Sequence, residues 1–195
     1  PKIPLCEGRC GELMSRLLSN RILFLDCKPC DDGLNDKINS AEANLVALCI
    51  EAFARIYEAN GRELSSDEIG VIVPYRNQIC QIKTSLRQCG LDRFANAAID
   101  TVERFQGSQR DIMICSLTVR HVSQLSFLTS ATYCEDDGLS PAPYYVDRKL
   151  NVALTRSRRH LVIVGNRRLL ALSPVYGRLL ADFERRGLLC VDFVG

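Results

Sequence analysis

Residues 69–90 read IGVIVPYRNQICQIKTSLRQCG, and this stretch decides the fold. Ile69 to Val73 carry four β-branched residues and no charge, the composition of a strand buried on both faces. Pro74 closes that strand. Ile79, Ile82 and Leu86 then recur at helical spacing with Arg and Lys between them, and Gly90 stops the helix. A buried strand feeding an amphipathic helix is the repeating element of a parallel sheet covered by helices.

The same alternation extends outward. RILFLDC (21–27) is a strand-length apolar run. Beyond Ser40, the expected N-cap, Val46, Ile50, Phe53 and Tyr57 recur at i, i+4, i+7 and i+11, a helix ending near Asn60-Gly61. AAID (97–100), DIMICSL (111–117), HLVIVG (160–165) and LLCVDFV (188–194) read as further strands, with an opening helix and a last one around 174–186. The pattern predicts a three-layer α/β domain with a mainly parallel sheet. Residues 21–195 form that domain, with 1–20 as a lead-in. The stretch 121–145 fits no period and is acidic and turn-rich in its second half, which predicts a surface insertion. Sites in such folds lie beyond the carboxyl ends of strands. The informative places are therefore the residues after 73, 100 and 165, and the helix leading into the strand at 160–165.

Composition excludes more than it selects. The chain has 195 residues and a formal charge of +2, so any polyanion site must be local rather than global. No apolar run reaches membrane-spanning length and nothing resembles a signal peptide. The expectation is an intracellular protein, cytoplasmic or nuclear, with no membrane partner. The chain opens on PKIPLCEGRC without an initiator Met and reads as a piece of something longer. Of ten cysteines, Cys49, Cys80, Cys115 and Cys190 sit in apolar runs as small hydrophobes of a reducing compartment. Cys6, Cys10, Cys27 and Cys30 have a spacing that could ligate zinc. Cys27 ends a strand and Cys10 begins a helix, so no metal site is assigned.

Three stretches carry chemistry. RKLNVALTRSRRH (148–160) holds four arginines and a lysine with no carboxylate. With Asp147 as N-cap, Leu150, Ala153, Leu154 and Ser157 share one helical face; Arg148, Asn151, Thr155, Arg156 and Arg159 share the other. Guanidinium groups suit phosphate oxygens by planar fork and permanent charge; the bland alternative is a solvated basic face. In VPYRNQ (73–78) a strand runs into a helix, where unpaired backbone N–H groups can meet an anion. Tyr75 offers a flat ring and Arg76 a cation. In IDTVERFQGSQRD (99–111), Gly107 permits close backbone approach, and Gln106 and Gln109 can bond a hydroxyl.

Taken in order, VPYRNQ, DTVERFQGSQRD and RKLNVALTRSRRHLVIVGN resemble motifs IV, V and VI of superfamily 1 helicases. The branch they resemble contains the nonsense-mediated-decay helicase and the replication helicase–nuclease. The resemblance covers about residues 20–190 and is to the second RecA-like domain only. No Gly is followed by Lys, so no phosphate loop is present, and the acidic Mg²⁺ motif of the first domain is absent as well.

The resemblance implies a RecA-like domain that, with a first RecA-like domain, forms an ATP-dependent helicase acting on single-stranded DNA or RNA. ATP and Mg²⁺ would be bound mainly by that first domain. It implies Arg156 as the arginine finger, Arg76 as a second γ-phosphate cation and Tyr75 as the adenine-stacking ring. Gly107 would lie near the γ-phosphate and Gln109 at the ribose hydroxyls, with Pro74, Thr101 and Val102 on the nucleic-acid backbone. Family members commonly carry Glu where this chain has Gln109. Some place the motif IV arginine at the position of Ile79. Arg120 has no assignment, and Arg158 and Arg159 would support the sheet surface. The rival expectation is a non-catalytic RecA-like module that binds a partner or nucleic acid. A nuclease or methyltransferase lacks its carboxylate cluster or Gly-rich cofactor turn.

Overall fold

The computed structural model describes residues 8–28, 35–105, 108–129, 131–134 and 144–190. In chain order come α1 (Gly8–Ser19), β1 (Ile22–Asp26), α2 (Ser40–Ala59), β2 (Ile69–Val73), α3 (Arg76–Gln88), β3 (Ala98–Thr101) and β4 (Arg110–Ser116). They are followed by α4 (Leu125–Leu128), β5 (Ala131–Cys134), β6 (Tyr144–Asp147), α5 (Arg148–Thr155), β7 (Ser157–Gly165), α6 (Arg167–Leu170), α7 (Pro174–Arg185) and β8 (Leu189–Cys190). Six strands form one sheet in the order β3-β2-β4-β7-β1-β8, every adjacent pair parallel. This is the three-layer RecA-like α/β architecture.

The register explains why the strands read as unbroken apolar runs. Val71, Ile114, Val162 and Leu23 stand in one row across four strands and belong to a core with α1, α2 and α3. The next row, Ile72, Cys115, Ile163 and Phe24, faces the other way into a core with α5 and α7. Both pleat faces are buried, so polar alternation has no place in these strands.

Local chemistry shifts several boundaries. The N-cap of α2 is Asn39, not Ser40: Asn39 is extended (φ −133°, ψ 102°) and its side chain accepts from the Glu42 N–H at 3.1 Å. Asp147 caps α5 as expected, accepting from Leu150 N–H at 3.1 Å. That helix stops at Thr155, so Ser157 and Arg159 belong to β7 rather than to helical faces. The lead-in is not separate, because Leu13, Met14 and Leu17 of α1 are buried in the first core. Nor is 121–145 purely a surface insertion. Leu125 and Leu128 pack into the second core, and β5 pairs antiparallel with β6. Of the last expected strand only Leu189–Cys190 is described, and 191–195 lie outside the described residues.

Gly70 shows how tightly the second face is filled. A Cβ there would meet Met113 Sδ at 2.5 Å and Phe105 Cε1 at 3.0 Å. Both neighbours are buried, so neither has open space to move into. Gly70→Val is expected to destabilise the domain by about 1–3 kcal/mol, read as a lower urea midpoint with an unchanged m-value. An unchanged midpoint would show that the Met113 side chain yields freely.

Candidate nucleotide and nucleic-acid edges

An all-parallel sheet has two unlike edges, and the candidate residues divide between them. Val73 and Thr101 are partners at the carboxyl ends of β2 and β3. Pro74, Tyr75 and Arg76 leave from the first, and Val102 from the second, so these four residues and Thr101 meet on the carboxyl edge. Tyr75 precedes α3 in extended conformation (φ −130°, ψ 136°) and Arg76 begins it. Tyr75 is partly exposed. Burial raises its phenol pKa, and the hydrogen-bonding Gln124 side chain opposes that shift. Arg76 is exposed. Between this edge and α5 lies an apolar recess of about 580 Å³ including its mouth, walled by Val73, Pro74, Val102, Leu150 and Leu154.

Gln109 and Arg156 lie at the opposite, amino edge. Each immediately precedes a strand start, and the two starts are neighbours: Arg110 pairs with Ser157, and the Arg110 N–H donates to the Arg156 carbonyl at 3.1 Å. Two residues separated by 47 positions in sequence are thus brought together. Arg156 is half-buried, its Nε donating to the Val152 carbonyl at 3.2 Å, which folds the stem back along α5. Among the described residues neither Arg156 nor Arg76 has a carboxylate partner. By contrast Arg158 and Arg159 both pair with Asp111, at 3.7 and 3.2 Å.

This division sets the two candidate phosphate cations at opposite edges of the sheet. From Arg110 to Cys115, level with Ile72, the sheet runs five residues, or ~17 Å at strand rise, and Arg76 starts beyond that. The same separation sets Tyr75 apart from Gln109. Gly107 lies outside the described residues, as do Cys6 and Cys30. Among the described residues no group of three His, Cys, Asp or Glu side chains could hold a metal ion.

Behind the carboxyl edge is a buried polar hub that no motif announced. Glu42, fully buried, accepts from Ser116 Oγ and the Thr118 N–H, both at 2.8 Å, and from Asn39 Nδ2 at 3.1 Å. Gln78 of α3 accepts from the Asn39 N–H at 2.8 Å and donates to the Asn39 carbonyl at 2.9 Å. Thr118 is the one non-Gly residue with positive φ, +53°, among the described residues, and Glu42 holds its N–H in that strained turn. From there Arg120 and His121 donate backbone N–H groups to Gln124 Oε1 at 2.7 and 2.9 Å, and Gln124 reaches Tyr75. The hub thus ties α2, α3 and the exit of β4 to the ring at the edge. Burial pushes the Glu42 carboxyl up to about 7, against the lowering effect of the Thr118 and Ser116 bonds. The legible signal was Asn39-x-x-Glu42, a helix-start spacing, but it does not reveal that the Glu side chain turns inward.

Comparison with known proteins agrees with this architecture. The AAA domain matches residues 12–168. The chain is 29% identical over 155 residues to regulator of nonsense transcripts 1 of Dictyostelium discoideum, covering 78% of this chain and 10% of that protein. It is 35% identical over 118 residues to the mouse RNA helicase Mov10l1 (60% and 9%). It is 31% identical over 155 residues to the mouse 5'-3' DNA helicase ZGRF1 (78% and 7%). The chain therefore spans about a tenth or less of the length of these relatives. No helix among the described residues is long and apolar enough to cross a membrane. With a six-stranded parallel sheet, and with its motif stretches in the order of the helicase motifs, the chain belongs to the AAA-domain family, in the branch of superfamily 1 helicases that includes the regulators of nonsense transcripts.

Proposed function

We propose that this domain is the second RecA-like half of an ATP-dependent nucleic-acid helicase, with its two edges dividing the labour. The observation that carries the reading is the backbone bond that brings Gln109 and Arg156 to one amino edge. That edge faces the nucleotide. Arg156 swings to the γ-phosphate and stabilises the charge that spreads over its oxygens during transfer. Gln109 offers a neutral hydrogen bond to a ribose hydroxyl, and Gly107 completes the approach. ATP and its Mg²⁺ are held mainly by a first RecA-like domain, which supplies the phosphate loop and the acidic ligands.

The carboxyl edge takes the strand. Pro74, Thr101 and Val102 present backbone and small side chains to phosphates, Arg76 adds a cation, and the Tyr75 ring offers a flat face on which a base can stack. Such contacts favour single-stranded DNA or RNA with weak sequence preference. ATP binding closes the two domains and hydrolysis reopens them, provided the closed state binds ATP better than the open one.

The chain alone is expected to show no ATP turnover. The full-length protein is expected to hydrolyse ATP and to do so faster when single-stranded nucleic acid is added. Turnover by this chain, purified free of contaminating ATPase, would contradict the two-domain site. A full-length protein that binds a strand but never turns over ATP would favour the non-catalytic module, the outcome toward which the uncharged Gln109 leans.

A further inference from the structure

Arg110 opens β4 beside Arg156. Its N–H donates to the Arg156 carbonyl at 3.1 Å, its Nη1 donates to the Gln109 carbonyl at 2.9 Å, and its Nε is buried with no hydrogen-bond partner among the described residues. Four arginines flank these two neighbouring strand starts. Arg158 and Arg159 share the single carboxylate of Asp111, which is only 17% exposed. Asp111 and Arg159 lie close enough to act on the Tyr57 phenol of α2. That neutralised group therefore belongs to the α2 side of the sheet. Arg110 and Arg156 are left without a carboxylate among the described residues.

Two like charges carried from neighbouring strand starts, with no carboxylate partner among the described residues, hold an unneutralised cost, and a buried N–H with no acceptor carries an uncompensated desolvation cost. Both penalties are relieved by the same event, the arrival of a polyanion with several acceptor oxygens. Rigid planar forks on two neighbouring strand starts, one tied to the other through the main chain, make a grip for consecutive phosphates rather than a diffuse basic surface.

We propose that Arg110 is a second phosphate-binding guanidinium of the amino edge, closing with Arg156 on the terminal phosphates of a nucleoside triphosphate. This rests on the reading of that edge as the nucleotide face. Arg110 contributes to binding in both ground and transition states, so its loss acts chiefly on KM, whereas the loss of Arg156 acts on kcat.

The test follows the Nε–H signals of the chain by ¹H–¹⁵N NMR during titration with tripolyphosphate, and separately with an oligouridine at equal phosphate concentration. Tripolyphosphate is expected to move the Arg110 and Arg156 signals together along one binding curve. Arg110→Gln is expected to weaken that binding about tenfold, the loss of a charge-assisted fork. It is also expected to raise the full-length protein's KM for ATP by a similar factor, with strand affinity unchanged. Movement of Arg156 alone would overturn the role of Arg110 and leave the edge assignment standing. Movement of neither would overturn both. A response to oligouridine but not to tripolyphosphate would reassign the grip to a nucleic-acid backbone. The wild-type titration decides the matter even if the variant fails to fold.

Discussion

Arg156→Ala in the full-length protein is expected to lower ATP turnover by about 10³-fold or more, while changing ATP affinity by less than about tenfold. The asymmetry follows from where the guanidinium acts. In the proposed role it meets charge that builds up as the γ-phosphoryl group leaves, so its contribution is far larger in the transition state than in the bound ground state. A factor of 10³ corresponds to about 4 kcal/mol of lost transition-state stabilisation. Its structural contribution is smaller: Arg156 gives α5 one Nε bond to the Val152 carbonyl, and losing it should cost about 1 kcal/mol. Melting temperature then moves by a few degrees at most, which separates a catalytic from a folding defect. Arg156→Lys should recover little, because a point charge lacks the planar fork. Single-turnover hydrolysis and equilibrium nucleotide binding, measured on the same preparation, check the prediction. Turnover within tenfold of wild type would remove Arg156 from the chemistry.

The architecture was legible wherever burial acts on both faces of a strand. IGVIV, LVIV and ILFL admit no other reading once helices of matching length lie between them, because only a covered parallel sheet removes both pleat faces from water. The strands least legible were β5 and β6, four residues each. At that length no period can be established, and Tyr144-Tyr145 beside acidic and Pro-rich neighbours reads as turn. The Ser40 cap failed for a similarly local reason. Ser and Asn are near-equal caps, and the choice fell to Asn39 through bonds to Gln78, 39 residues away.

The candidate residues were legible as chemistry but not as places. Each motif names side chains suited to phosphate or base, and none says by itself which end of the sheet they occupy. Chain order holds that information: Tyr75 and Arg76 follow a strand, whereas Gln109 and Arg156 precede one. In an all-parallel sheet the first pair must lie at the carboxyl edge and the second at the amino edge. Nothing local could have shown that Arg158 and Arg159 are neutralised by Asp111, whereas Arg110 and Arg156 have no carboxylate partner among the described residues.

Glu42→Gln is expected to flatten part of the pH dependence of stability. The carboxyl titrates near 4.5 when unfolded and near 7 in the folded domain. Below pH 4.5 both states hold the proton, and this group's contribution is at its most favourable. Between 4.5 and 7 the unfolded chain releases its proton while the folded one keeps it, so unfolding gains and stability falls as pH rises. The fall is roughly 3 kcal/mol across the window and then levels off above pH 7. Glutamine cannot titrate, so the slope from this source vanishes. Its amide oxygen can still accept from Ser116 and Thr118, but its NH₂ faces the Asn39 amide donor, which adds a constant cost independent of pH. Urea unfolding at pH 5 and pH 7.5 separates the two effects, because the difference between wild type and variant cancels all other titrating groups. The variant should lose relatively more at pH 5 and recover toward wild type at pH 7.5; equal differences at both pH values would mean that the folded Glu42 is ionised throughout. The consequence reaches the carboxyl edge. When Glu42 ionises it draws harder on the Thr118 N–H that sets the turn toward Arg120, Gln124 and Tyr75, so strand affinity in the full-length protein should change over the same pH window, and Glu42→Gln should remove that dependence.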